Sequence, residues 1–459
     1  MATGSTDLLA RATAHSQAGQ LDEAEALCRE LLARAPDDPA VLGLDGVLAF
    51  RRGRRAEAIA RIERAAALAP ETALFPRNLC ELYRQVGRID DAVAAGRRAV
   101  ALAPNDAEAH YNLGVACYDR LDLDGAIVSA SEAIRLKPDL AGAYFERAEA
   151  RLLRGDLAAG WEDYEWRWKL ASAPAHMRKL TQPQWDGTSL GERPLLLIAD
   201  QGYGDTIQFA RYIPQVAARC PNLQLACSPE MRPFLLQQPG IRADHVVWEN
   251  VPPVAAQITL SGLPRVFRTT LETIPASVPY VRAEPDAAAR WRTRLDALLP
   301  RGYKRVGLVW AGRPTHDNDR NRSLALAQLA PLGARDRTAL IALQKGPAAT
   351  QIGAWYGSAP LINLSAEIAD FTDTAAILDG LDLLVTVDTS VAHLAGAMGK
   401  PVWIMLPYAP DWRWLLGRTD SPWYPSVRLF RQPAPGDWTT VIEHVATALA
   451  EVPPRPKTA

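Results

Sequence analysis

The sequence predicts a multidomain chain: an all-α helical solenoid first, then an α/β region of two parallel-sheet halves. Three observations predict it. Proline recurs at Pro36, Pro70, Pro104 and Pro138, each time after an interval of 34 residues. A block dense in aromatic residues then ends that period. Beyond it, short apolar runs alternate with helical stretches, the pattern of a parallel sheet covered by helices.

Each of the four prolines follows a segment rich in Ala, Leu, Arg and Glu. Ala24, Ala58, Ala92 and Ala126 lie 12 residues before them, and Gly19, Gly53 and Gly87 lie 17 before. A period of 34 residues carrying two helices is the tetratricopeptide signature. Small residues at fixed phase let two antiparallel helices approach closely, and proline ends the second helix because it lacks an N–H and clashes with the preceding turn. Counting back from the prolines gives repeats over residues 5–38, 39–72, 73–106 and 107–140. A fifth, incomplete pair keeps Gly155 in the glycine phase, puts Gly160 where alanine stood, and runs into WEDYEWRWKL. Trp161, Tyr164, Trp166 and Trp168 are read as a packed cap or docking surface in preference to a carbohydrate-stacking platform. The repeat domain with its aromatic cap is thus expected over 1–170, and a connector containing Pro, Gly, Ser and Thr over 171–192.

A chain of 459 residues exceeds what one hydrophobic core organises, so two or three domains are expected. Its 51 basic and 52 acidic residues nearly cancel, which argues against nucleic acid or a membrane surface held by net charge. Cys28, Cys80, Cys117, Cys220 and Cys227 are scattered, without metal-ligand or redox spacing, and are read as reduced, buried thiols. The N-terminal residues lack the basic and apolar regions of a secretion signal, and no run is long enough to span a membrane. A cytoplasmic location is the expectation.

In the α/β region, PLLLIAD (Pro194–Asp200) is a short apolar run bounded by turn residues, followed by TIQFARYIPQVAAR with helical spacing at Ile207, Ala210, Ile213 and Val216. LQLACS reads as the next strand. VGLVWAG (Val306–Gly312), TALIALQK (Thr338–Lys345), LDLLVTVD (Leu381–Asp388) and VWIML (Val402–Leu406) supply further strands. Two Rossmann-like halves are expected, over 193–290 and 300–450, with the proline-rich reach from Val251 to Pro285 joining them.

Three turns after strands carry candidate chemistry. In LDLLVTVDTSVAHLAGAMGKPVWIML, Asp388 ends a strand, Thr389 and Ser390 open a helix, and His393 follows one turn later. Hydroxyls and free N–H groups at a positive helix end are what a phosphate or diphosphate requires. The alternative is that Asp388 caps the helix and His393 packs in the core. In IADQGYGDTIQFARYIP, Gly202 and Gly204 let backbone approach a ligand, and Asp205 stands at the mouth of the next helix, either as a functional carboxylate or as its cap. The third, WAGRPTHDNDRNRSL, brings Arg313, Arg320 and Arg322 with Ser323, guanidinium groups suited to clamping phosphate oxygens. Asp317 and Asp319 in it form a D-x-D that holds either the loop or a divalent cation. Gln344 and Lys345 end TALIALQK, where the strand delivers a point charge toward the same edge.

With those turns in view, the C-terminal part resembles the GT-B glycosyltransferases of the heptosyltransferase-like group, glycosyltransferase family 9-like. The whole chain resembles bacterial tetratricopeptide-containing glycosyltransferases. VDTSVAHLAGAMGKPVWIMLP (Val387–Pro407) is similar to the group's D-T-[GS]-x-x-H-L-A run, and GYGDTIQFARYIP to its N-terminal G-D turn. WAGRPTHDNDRNRSLAL and DWRWLLGRTDSPWYPSVRLFRQ (Asp411–Gln432) are similar to runs of the repeat-bearing subgroup, some of whose members modify flagellin. The resemblance implies an α/β GT-B fold and an inverting enzyme that moves a sugar from a nucleotide-sugar donor, with no metal or other cofactor. It implies Asp205 as the base, donor contacts from Gly202, Gly204, Arg322, Ser323, Gln344, Lys345, Asp388, Thr389, Ser390 and His393, and a protein acceptor such as flagellin on the repeats. The rival expectations are a repeat scaffold with an inactive C-terminal domain, and a transferase for lipid-linked or polysaccharide acceptors.

Overall fold

The structure is a computed structural model that describes residues 2–173, 181–238, 241, 243–246, 251–316, 318–334 and 337–455. It divides into two compact units, Met1–Arg151 with Glu162–Pro174, and Leu152–Trp161 with Ala175–Ala459.

Ten helices open the chain: α1 Ala2–Gln17, α2 Leu21–Arg34, α3 Pro39–Arg51, α4 Arg55–Leu68, α5 Leu74–Gln85, α6 Ile89–Leu102, α7 Ala107–Asp119, α8 Leu123–Leu136, α9 Ala141–Arg154 and α10 Leu157–Tyr164. They form a solenoid of the tetratricopeptide type in the predicted phase. Ala24, Ala58, Ala92 and Ala126 are all completely buried. On the facing helices stand Gly46 and Gly114. A Cβ on Gly46 would come within 2.5 Å of Ile62 Cγ1 and 3.2 Å of the Ala58 carbonyl, so α3 and α4 meet almost backbone to backbone.

The turns inside the repeats are closed by one recurring device. Gly19, Gly53 and Gly87 have φ of +78°, +77° and +80°. In the first, Gly19 N–H donates to Ser16 O (3.1 Å) and Gln20 N–H to His15 O (2.9 Å), the paired bonds that finish a helix in a left-handed residue. The fourth repeat makes the same two bonds, Leu121 to Tyr118 O (2.8 Å) and Asp122 to Cys117 O (2.9 Å), with leucine at φ +63° in the glycine position. Asp38 and Asp106, just beyond Pro36 and Pro104, cap α3 and α7 by accepting from the N–H groups of their first turns.

The aromatic block does packing work. Trp166 stacks on Tyr144 with ring centroids 3.7 Å apart, and Tyr164 lies 5.7 Å from Phe145. Trp161 instead belongs to the second unit, where its indole N–H donates to Thr269 O (3.0 Å) and its ring meets Trp412 edge-on.

The second unit holds two parallel sheets. The first comprises β1 Leu195–Ile198, β2 Leu223–Ala226, β3 Asp244–Val246 and β4 Ala256–Thr259, in the order β3-β2-β1-β4. The second comprises β5 Lys304–Val309, β6 Thr338–Ala342, β7 Leu361–Asn363, β8 Leu383–Val387, β9 Val402–Leu406 and β10 Val427–Arg431, in the order β10-β9-β8-β5-β6-β7. Their helices are α11 Tyr203–Ala210, α12 Ile213–Ala217, α13 Arg232–Leu236, α14 Leu263–Val266, α15 Pro285–Leu298, α16 Asp319–Arg322, α17 Phe371–Asp379, α18 Ser390–Ala397 and α19 Trp438–Glu451. Counted from β5, the second sheet runs 3-2-1-4-5-6, the doubly wound order, and the first sheet is its four-stranded counterpart. β5, β6, β8 and β9 are buried at every residue, as strands covered on both faces must be.

All six predicted strands are present. The stretch read as one helix after β1 is two, α11 and α12, because Pro214 cannot continue the ladder; Ile207, Ala210, Ile213 and Val216 are nonetheless all buried. The proline-rich reach from Val251 is more than a connector, since β4 lies within it and pairs in register with β1. Among the described residues no helix is long and apolar enough to cross a membrane.

Candidate functional site

In each sheet the chain reverses direction across its starting strand, between β1 and β4 and between β5 and β8. Parallel folds bind ligands outside the carboxyl ends of strands at such reversals. The three predicted turns follow β1, β5 and β8, so the topology alone places them at these edges.

After β1, Gly202 is the N-cap of α11, and its N–H donates to Asp205 Oδ2 (2.9 Å). Gly204 is required by a close approach: a Cβ there would lie 2.7 Å from His393 Cδ2. α11 therefore packs along α18, the helix that follows β8. Its one large exception to apolar packing is Gln208, fully buried, whose side-chain carbonyl accepts from Arg413 Nε (2.6 Å). Arg413 also grips Asp411 through Nη1, 2.8 Å from each carboxylate oxygen, and pairs through Nη2 with Asp205 Oδ1.

After β8, Thr389 is the N-cap of α18, and its hydroxyl meets that of Thr386 at 3.1 Å. Ser390 is the first helical residue, so its N–H and that of Val391 have no acceptor within the helix and point out of its positive end. His393 is buried one turn on. Its Nδ1 lies 2.8 Å from the Tyr424 hydroxyl, its Nε2 lies 3.9 Å from Asp388 Oδ1, and its ring stacks on Trp414 at 5.4 Å.

Burial sets the charges here. It holds His393 neutral, far below the ordinary imidazole range, helped by the cations Arg413, Arg211 and Arg322. Burial raises the Asp388 carboxyl to about 6, reinforced by Asp411 and opposed by Arg322, Trp414 and Arg413. Burial likewise keeps the Tyr424 hydroxyl protonated.

After β5, the loop is folded by its own side chains. Gly312 N–H donates to Ser323 Oγ (2.9 Å), which donates to Asp319 Oδ1 (2.9 Å), and Arg322 Nε reaches the same oxygen at 3.4 Å. Asp319 is thus a loop-holding residue; Asp317 lies outside the described residues. Gln344 is a backbone clip: its carbonyl accepts from Trp310 and Ala311 N–H (3.0 and 2.9 Å), and its amide donates to Ala311 O and Lys345 O (3.0 and 2.9 Å). Lys345 Nζ donates to Ser365 O and Ile368 O, both at 2.7 Å, so two backbone carbonyls hold it. Beside this loop opens a cleft of about 470 Å³, lined by Gly312, Pro314, Ser323, Leu324, Gln328 and Gln351 among others.

The structure therefore brings Gly202, Gly204, Asp205, Asp388, Thr389, Ser390, His393 and Arg322 to one region, and uses Ser323 and Gln344 to shape its rim. It adds Gln208, Asp411, Arg413, Trp414 and Tyr424. Four of these five stand in DWRWLLGRTDSPWYPSVRLFRQ, a run singled out in the sequence as a whole without any residue of it being given a role.

Comparison with known proteins places the repeats first. A model described as Tetratricopeptide repeat matches residues 6–45, and one described as TPR repeat matches residues 81–120. The chain contains tetratricopeptide repeats, a protein-interaction scaffold, followed by a region of parallel sheets and helices. Protein FlbA of Caulobacter vibrioides is 28% identical over 342 residues, which are 67% of this chain and 54% of FlbA. The chain thus spans about half the length of that curated relative. Solved structures that are similar include MamA protein (21% identity, TM-score 0.33, 37% of this chain and 92% of that one). Another is YrrB, titled a TPR protein with an unusual peptide-binding site (19% identity, TM-score 0.32, 38% of this chain and 91% of that one).

Proposed function

We propose that the chain is a glycosyltransferase of the GT-B, heptosyltransferase-like kind, moving a sugar from a nucleotide-sugar donor to a hydroxyl of a protein held by the repeats. One observation carries the reading: Asp205, at the carboxyl edge of the first sheet, and the open N-terminus of α18, at the carboxyl edge of the second, meet in one cluster through Gly204 against His393 and Arg413 against Asp205. A carboxylate facing an anion-binding helix end is the arrangement that joins an acceptor to a phosphate leaving group.

In this mechanism the donor's phosphate sits at the N–H groups of Ser390 and Val391, with Arg322 adding positive charge as the leaving group develops its negative charge. The cleft beside Gly312 and Ser323 receives the nucleoside. Asp205 takes the proton of the acceptor hydroxyl while that oxygen bonds to the anomeric carbon from the face opposite the phosphate. No step needs a metal. The acceptor is a Ser- or Thr-bearing protein such as flagellin, which the resemblance of the whole chain to flagellin-modifying transferases favours.

The test is incubation of the full-length protein with a panel of UDP-, GDP-, CMP- and ADP-sugars, reading the melting temperature and donor turnover. One donor class is expected to raise the melting temperature by mass action. Asp205→Asn is expected to keep that shift and to lose transfer by about 10²- to 10⁴-fold. A panel with neither binding nor turnover removes the enzyme and leaves the repeat scaffold.

A further inference from the structure

Asp205 alone looks like an ordinary helix cap: a carboxylate in the first turn of α11, accepting from the Gly202 N–H. Its second bond is not explained by capping. The other oxygen is held by Arg413, a residue 208 positions further along the chain. Arg413 is itself 93% buried, being 7% exposed, and its guanidinium lies 4.2 Å above the ring of Trp412. Nε goes to Gln208, one helical turn after Asp205 on the same face of α11; Nη1 goes to both oxygens of Asp411; Nη2 goes to Asp205. Asp411 also accepts from the backbone N–H of Arg413 at 2.9 Å, which fixes the clasp from its own side.

Resting on the glycosyltransferase reading, we propose that Arg413 is the positioning residue for the base: it sets the plane of the Asp205 carboxylate toward the acceptor hydroxyl, and Asp411 is its standing counter-charge. With one oxygen tied to Gly202 and the other to Arg413, the carboxylate cannot rotate, while its side chain stays 23% exposed for the acceptor. The second carboxylate has a reason in the chemistry. When Asp205 accepts the proton it becomes neutral, and a buried guanidinium that had only this partner would be left uncompensated. Asp411 keeps the cation paired through that step. The balance is complete: the acceptor O–H bond breaks to protonate Asp205, an oxygen–carbon bond forms at the anomeric carbon, and the bond from that carbon to the phosphate oxygen breaks, its electron pair leaving on the nucleotide.

The experiment uses full-length Arg413→Ala, Arg413→Lys, Asp205→Asn and the Arg413→Ala/Asp205→Asn double variant with the donor that the sugar panel identifies. Arg413→Ala is expected to lower kcat by about 10²-fold, the effect of a misplaced reacting group, with donor KM and the donor-induced melting shift unchanged. Arg413→Lys keeps a cation between the two carboxylates. It is expected to recover part of kcat only, because an ammonium lacks the fork that reaches Asp411, Gln208 and Asp205 together. The double variant is expected to be no slower than Asp205→Asn alone, since both act through one carboxylate. Arg413→Lys at the wild-type rate, losses that multiply in the double variant, or a donor KM that rises with the fall in kcat each overturn the proposal. If the wild-type protein turns over no donor, it is the glycosyltransferase reading that fails.

Discussion

His393 Nδ1 and the Tyr424 hydroxyl are 2.8 Å apart inside the second unit, and both groups are held uncharged by burial. With Tyr424 donating, the imidazole proton stands on Nε2, facing Asp388 Oδ1 at 3.9 Å. A neutral histidine thus links the loop bearing Trp414 and Tyr424 to the helix end where the phosphate is proposed to sit, without adding a cation there.

This pairing makes stability depend on pH in two opposed ways. The folded pKa of His393 is depressed from 6.5, so its contribution is present above that value and is lost as pH falls below it. The folded pKa of Asp388 is raised from 3.8 to about 6, so its contribution is full below 3.8 and is lost as pH rises through 6. Between pH 7.5 and 6.5 the histidine outweighs the carboxyl, most of which is already ionised in the folded state, and acidification destabilises. His393→Gln retains a partner for Tyr424 and removes the titration. Its melting temperature is expected to fall less than that of the wild type over this interval, as thermal denaturation monitored by circular dichroism would show. Equal slopes would refute the assignment.

Gly204→Ala tests the contact of α11 with α18. Alanine gains up to about 1 kcal/mol of helix propensity, less in a first turn. The Cβ at 2.7 Å from His393 Cδ2 displaces a buried ring, an overpacking cost of about 1–3 kcal/mol. Overlap wins. A fall in the melting temperature of the second unit is expected, and the donor-induced shift is expected to weaken with it.

Leu121 is the one residue of its phase, from Gly19 to Gly155, that is not glycine. A left-handed leucine costs roughly 1–2 kcal/mol, and glycine in the same place gives back roughly 0.5–1 through a freer unfolded chain. Leu121→Gly is expected to raise the urea midpoint of the solenoid slightly. Gly87→Leu, the converse at the same phase, is expected to lower it by more.

All five cysteines are buried. Burial pushes the thiols of Cys28 and Cys227 up to about 11 and that of Cys80 up to about 12. The thiolate is the nucleophile, so native protein at pH 7.5 is expected to react with a chromogenic disulfide far more slowly than protein in 6 M guanidinium. A thiol titrating rapidly in the native state would show that one of these sites opens.

The solenoid was legible almost residue by residue because its signal is periodic: the prolines, alanines and glycines repeat in phase, and each repeat is stabilised by its neighbours. Leu121 escaped because a phase argument reads what recurs, and the bonds that close the turn belong to the backbone. Six strands announced themselves as apolar runs. β3, β4, β7 and β10 did not: all four are edge strands of their sheets, and β7 has no fully buried residue. The site was legible where a ligand-facing residue follows a strand, as at Asp205, Asp388 and Thr389. It was not legible where long-range pairing decides, since nothing near Gln344 or Lys345 in the sequence says that their polar atoms meet backbone N–H and C=O groups. Arg413 was hidden for the same reason, its partners Asp411, Gln208 and Asp205 lying both beside it and some 200 residues away.

Trp161 has a practical consequence for anyone dividing the chain. It is counted among the solenoid's closing aromatics by sequence, yet its indole is buried against Thr269 and Trp412. A fragment that begins after residue 170 would leave a hole the size of a tryptophan in the second unit, with a carbonyl stripped of its donor. One that begins ahead of Leu152 carries its own plug. A null result from the shorter fragment would report a broken core, not the loss of an acceptor, so the boundary chosen for dissecting the two units decides what the dissection measures.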